Sequence, residues 1–86
     1  MQEAPSYVAE CFWPDVDEDD LDALDRRIRE AAAAGNDGVR YLGSILLRED
    51  EVVLCQFEGR DDAVRALAER AHVPFERILR TARSGR

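Results

Sequence analysis

The sequence predicts an α+β domain with the element order β-α-β-β-α-β. Three observations carry that prediction. The stretch Val39 to Glu58 reads VRYLGSILLREDEVVLCQFE, two apolar runs rich in β-branched and aromatic residues, with the charged turn Arg48-Glu49-Asp50-Glu51 between them. That is the pattern of a β-hairpin. A stripe of apolar residues at helical spacing lies on each side of the hairpin, over Asp17 to Ala34 and again after Gly59. Strand-like runs stand at the two ends, Ser6 to Trp13 and Phe75 to Ala82.

Taken in order, Met1 to Pro5 is a short tail. Ser6 to Trp13 is a strand with one charge in its middle, Glu10. Side chains alternate across a strand, so Tyr7, Ala9, Cys11 and Trp13 share one face and Val8, Glu10 and Phe12 the other. The first set carries no charge and belongs under helices. Pro14-Asp15 ends the strand, because Pro has no N–H for the ladder. Asp17 caps the first helix, and Glu18, Asp19 and Asp20 complement its dipole. Leu21, Leu24, Ile28, Ala31 and Ala32 form its buried face, and Gly35-Asn36-Asp37-Gly38 is a stop and turn. After the hairpin, Gly59-Arg60-Asp61 opens the second helix with Asp61 as the expected cap. Val64, Leu67, Ala68 and Ala71 are its stripe, and Pro74 stops it. Phe75 to Ala82 is a final edge strand, and Arg83 to Arg86 a tail.

Ordinary rules of layering and handedness turn this order into a ferredoxin-like sandwich: one four-stranded antiparallel sheet with both helices on one face. Residues 1–86 form a single domain with an ordered core over about 6–82. Val53, Cys55 and Phe57 belong under the helices. The alternate set, Val52, Leu54, Gln56 and Glu58, joins Val8 and Phe12 on a face that no helix covers. A monomer rarely leaves such a patch in water, so the chain is expected to form a homodimer, sheet face to sheet face. That packing would enclose Glu10 and Gln56 between subunits.

Composition narrows the function. A chain of 86 residues buries only about 60–65% of its unfolded surface, so a lone copy is marginally stable. The net charge of −7 repels a phosphate backbone and argues against nucleic acid. No apolar run reaches the roughly 20 residues of a membrane span, and the N-terminus lacks a signal pattern, so no membrane partner is expected. Cys11 and Cys55, both in strand-like runs and outside any CxxC, read as reduced core thiols of a cytoplasmic protein.

A series of short motifs spans most of the chain: Glu10 with Pro14 four residues on, Asp20-Leu21, Arg40-Tyr41-Leu42-Gly43-Ser44, Glu49-Asp50-Glu51-Val52, Cys55-Gln56-Phe57-Glu58, and Pro74-Phe75-Glu76-Arg77-Ile78. In their order and spacing they resemble the small actinobacterial nickel-binding proteins, part of a broader family of compact domains of unknown function. The resemblance runs from about Ser6 to Arg80. It implies a ferredoxin-like homodimer that binds divalent nickel at its surface, with a role in metal sequestration. The chain departs from the pattern twice: Asp15 and His72 stand where glycine is expected, and each adds a metal-ligating group.

Two sets of residues are therefore candidates. His72, the sole imidazole, with Asp15, Asp17 and Glu18, offers the nitrogen and oxygen donors that nickel accepts. The plainer alternatives are a dipole partner at a helix end for His72 and a solvated first turn for the acidic run. The second set is a cavity for a small organic ligand at the dimer seam, lined by Glu10, Tyr41, Cys55 and Gln56. Here the alternatives are an ion pair of Glu10 with Arg40 or Arg77, and ordinary packing for Tyr41, Ser44 and the thiols. No nucleophile, base and orienting group stand together, so binding is expected rather than catalysis.

Overall fold

A computed structural model describes residues 5–35 and 37–82. The expected tails, Pro5 apart, and Asn36 of the first turn lie outside the described residues. The elements are β1 (Ser6–Phe12), α1 (Glu18–Ala34), β2 (Arg40–Leu47), β3 (Val52–Glu58), α2 (Asp61–Arg70) and β4 (Arg77–Thr81). The strands form one antiparallel sheet in the order β2-β3-β1-β4. This is the ferredoxin-like α+β architecture that the sequence predicts.

The core lies between the sheet and the helices. Tyr7, Ala9 and Cys11 of β1 and Val53, Cys55 and Phe57 of β3 are buried, as their alternation requires. Leu24 and Ile28 of α1 and Val64, Leu67 and Ala68 of α2 close over them. Leu21, Ala31, Ala32 and Trp13 pack at the margin. Phe57 is the largest wholly buried side chain, its ring centre 5.2 Å from that of Tyr41.

The two helices start differently. Asp17 caps α1 as expected. Its carboxylate accepts from the Asp20 N–H at 2.8 Å, and the Asp20 carboxylate accepts from the Asp17 N–H at 3.1 Å, a reciprocal capping box. The expected cap Asp61 is corrected to Arg60, which is extended and makes no side-chain cap bond. The chain turns into the helix one residue early, because Gly59 is held by its N–H to the Pro5 carbonyl at 2.9 Å. Asp61 and Asp62 then serve the dipole from inside the first turn. The last strand is shorter than Phe75 to Ala82: Phe75 packs against the core, and ladder pairing begins only at Arg77.

α2 ends in a Schellman motif. The Val73 N–H reaches the Ala68 carbonyl at 2.9 Å and the His72 N–H reaches the Glu69 carbonyl at 3.1 Å. Arg27 of α1 satisfies the next carbonyls, donating to Ala71 at 3.0 Å and His72 at 3.3 Å. His72 occupies the position that glycine usually takes in this motif, with φ 58°. Asp15 follows Pro14 with φ 62°, again where a tight turn favours glycine. The two positions at which the resemblance expects glycine are thus positions where the backbone wants one.

Candidate functional site

The helix-free face of the sheet can be read row by row from the register. The first row, nearest the start of β1, is Arg40, Glu58, Ser6 and Thr81. The second is Gly43, Gln56, Val8 and Leu79; the third is Ile45, Leu54, Glu10 and Arg77; the fourth is Leu47, Val52 and Phe12. One corner is therefore apolar and the opposite edge polar. Phe12 is 53% exposed, Ile45 44% and Leu47 40%. Ile45 and Leu47 enlarge the patch beyond Val8, Phe12, Val52 and Leu54. Sequence alternation alone misplaces them, because a bulge between Tyr41 and Gly43 shifts the phase of β2.

The charges on this face cancel. Arg77 Nε donates to Glu10 Oε1 at 2.6 Å, and Arg40 pairs with Glu58 at 3.2 Å. The face holds two acids and two bases in a chain whose net charge is −7. Glu10 thus takes the ion-pair partner Arg77, and its carbonyl also accepts the Glu76 N–H at 2.8 Å.

The sheet divides the expected cavity set. Glu10 and Gln56 lie on the open face, whereas Tyr41 and Cys55 lie on the helix side, so the four do not line one space. Tyr41 follows Phe57 across the β2–β3 ladder, which points both rings under α1. There a polar cluster forms that the sequence did not single out, since Asp25 reads as one more charge on an amphipathic helix. The Tyr41 hydroxyl donates to Asp25 Oδ1, and Ser44 Oγ donates to the same oxygen at 3.2 Å. The Arg29 guanidinium lies 5.1 Å from the centre of the Tyr41 ring.

Burial, reinforced by the Asp25 hydrogen bond, pushes the Tyr41 phenol well above its usual 10.0. The adjoining Cys11 thiol, with burial added, pushes Cys55 above its usual 9.0, while Cys55 in turn lowers Cys11. Both raised groups hold their protons more tightly folded than unfolded. Their contribution is whole below the unfolded values and is lost as pH rises past them. The melting temperature should therefore stay level from about pH 7 to 8 and fall above about pH 9–10. In Tyr41→Phe that alkaline fall should be shallower in calorimetry; an identical profile would show that the phenol does not titrate with unfolding.

The expected metal set is also dispersed. Asp17 is committed to the capping box, and Glu18 pairs with Arg48 at 3.3 Å. The Asp15 N–H donates to Glu51 Oε2 at 3.1 Å, while the Trp13 N–H reaches the Glu51 carbonyl at 2.8 Å. Glu51 so clamps the β1–α1 connection to the hairpin turn. Asp15, Glu51, Arg48, Val16 and Leu46 border a small cleft there. His72 is exposed in another connection, after α2. Among the described residues, no three His, Cys, Asp or Glu side chains converge to hold an ion. Nor is any described helix long and apolar enough to cross a membrane.

Comparison with known proteins adds the fold. No protein-family model matches the chain, and no curated protein matches it. Among solved structures it is similar to SCO4226 of Streptomyces coelicolor A3(2), known from a crystal structure analysis, with a TM-score of 0.76. The match covers 93% of this chain and 99% of that one at 16% identity, a level at which the likeness speaks for the shared architecture.

Proposed function

We propose that the chain is a cytoplasmic homodimer, two copies packed sheet face to sheet face, that binds divalent nickel at its surface and serves to sequester it. The observation that carries the dimer is the open face itself. Large apolar side chains there stand 40–53% exposed on a charge-balanced layer. A second copy is the occupant that fits, because two chains of charge −7 repel each other least where their surfaces are locally neutral. Light scattering at high micromolar concentration should give twice the 9.7 kDa of one chain. A single 9.7 kDa species would sink the reading.

The metal half rests on the resemblance and on the carboxylates at the start of α1, with His72 a separate surface imidazole after α2. The double variant Asp15→Gly/His72→Gly tests it cleanly, because both residues sit at positive φ. A left-handed conformation costs a non-glycine residue about 1–2 kcal/mol, so the variant should melt higher than the parent without metal. With tag-free protein and nickel at about 100 times the dissociation constant, the parent should gain roughly 2.7 kcal/mol. The variant should lose most of that gain. If nickel raises the melting temperature of both proteins equally, the proposed ligands are wrong.

A second reading, a small organic ligand held between the sheets near Glu10, has one observation in its favour. A hollow opens on the open face beside Gln56, bordered by Ser6, Val8 and Leu42.

A further inference from the structure

We infer that the hollow beside Gln56 is a binding site for a small uncharged molecule bearing both a hydrogen-bond donor and an acceptor, such as a carboxamide. The inference rests on the sheet-to-sheet dimer, which would close the hollow from above.

β2 reaches the hollow through its bulge, which brings Leu42 to the border. The bulge there inserts Leu42 between the paired residues Tyr41 and Gly43. Gly43 then stands opposite Gln56 on the open face, where any other residue would place a side chain. Its φ is 120°, which an L side chain rarely adopts, and a Cβ there would meet nothing within 4 Å. Backbone geometry requires the glycine, so β2 places no side chain over Gln56 at that position. The hollow is about 150 Å³, enough for a molecule of several heavy atoms.

Its lining sets the chemistry. Val8, Leu42 and Ala82 supply apolar walls, while Ser6, Gln56 and Thr81 supply two hydroxyls and one amide. Tyr7 and Phe57 complete the lining; none of the eight residues is charged, and the nearby charges are already matched as Arg40–Glu58 and Glu10–Arg77. An anion or cation entering a closed seam would lose its water and meet no counter-charge, so the site selects against ions. An apolar side chain from a partner would fill the volume but strand the Gln56 amide, which has two donors and an acceptor oxygen to satisfy. A guest carrying one donor and one acceptor engages the amide oxygen and one of its N–H groups and lays its carbon chain against Val8 and Leu42.

Propanamide is a suitable probe, with propionate as a charged molecule of the same shape. In amide NMR spectra of the intact chain, propanamide should give saturable shifts centred on Ser6, Val8, Gln56 and Thr81. Propionate should bind at least tenfold more weakly. Gln56→Leu removes the amide while keeping much of the side chain's bulk; it should weaken propanamide at least tenfold and still scatter as a dimer. No saturable shift in a chain that scatters as a dimer overturns the site and leaves the dimer standing. Unchanged affinity in Gln56→Leu overturns it equally. A chain that scatters as a monomer removes the dimer, and the closed site with it.

Discussion

Phe12→Glu should convert the proposed dimer into a monomer. Phe12 ends β1 on the open face, 53% exposed, in the row with Leu47 and Val52. In a single copy the new carboxylate would stand largely in water, so the fold should survive with circular dichroism unchanged. In a face-to-face dimer the same carboxylate would meet an apolar surface with no cation to pair it. Burying an unpaired ion costs several kcal/mol, so dimerisation should weaken by well over 100-fold. Sedimentation over a concentration series would read this as a fall from twice 9.7 kDa to 9.7 kDa. If Phe12→Glu remains dimeric at low micromolar concentration, the interface lies elsewhere on the molecule.

Phe57→Ala should come close to unfolding the chain. Phe57 lies five residues after Val52 on β3, on the opposite face, wholly buried against Tyr41. Truncating a buried Phe costs about 3–5 kcal/mol through lost transfer energy and a residual cavity. The total stability of a chain of this length is roughly 4–13 kcal/mol. Thermal melting should therefore drop by about 15–30 °C, or no folded baseline should remain. The paired control is Phe12→Ala, which removes the same ring from the open face. At concentrations where the chain is monomeric it should lower stability by less than about 1 kcal/mol. Equal losses from the two variants would mean that the two faces are not inside and outside as described.

These two phenylalanines also show how far alternation can be read. Both lie in strands whose β1–β3 pairing runs without interruption from Ser6–Glu58 to Phe12–Val52. Where a ladder is unbroken, a period of two sorts every side chain correctly. Leu24, Ile28, Val64 and Leu67 were legible for the same reason at the helical period, and Asp17 because capping is a short-range bond. β2 was not legible in this way. Its bulge is a response to the curvature and twist of its neighbours, and one inserted residue turned Ile45 and Leu47 outward. Asp61 failed as a cap for a related reason: the Gly59–Pro5 bond, made across the sheet, set where the helix begins.

The candidate sites divide along the same line. The acidic run at the start of α1 and the lone imidazole were visible as residue types, and their chemistry follows from composition. Their engagements were not visible. Glu18 is drawn to Arg48 across a gap of thirty residues and Glu10 to Arg77 across sixty-seven. The Asp25–Tyr41–Ser44 cluster joins a helix to a strand that pattern alone gives no reason to connect.

By itself, then, the sequence determined the order of the elements, the faces of the unbroken strands and helices, and the greasy, uncovered side of the sheet. Each of these is a local or periodic property, decided by neighbours within one or two turns of chain. Only the tertiary structure decided the phase of β2, the neutral pairing of charges on the open face, the separation of Tyr41 and Cys55 from Glu10 and Gln56, and the hollow beside Gln56. Each of those depends on which strand lies beside which and in what register, and that is settled by packing the whole sheet at once.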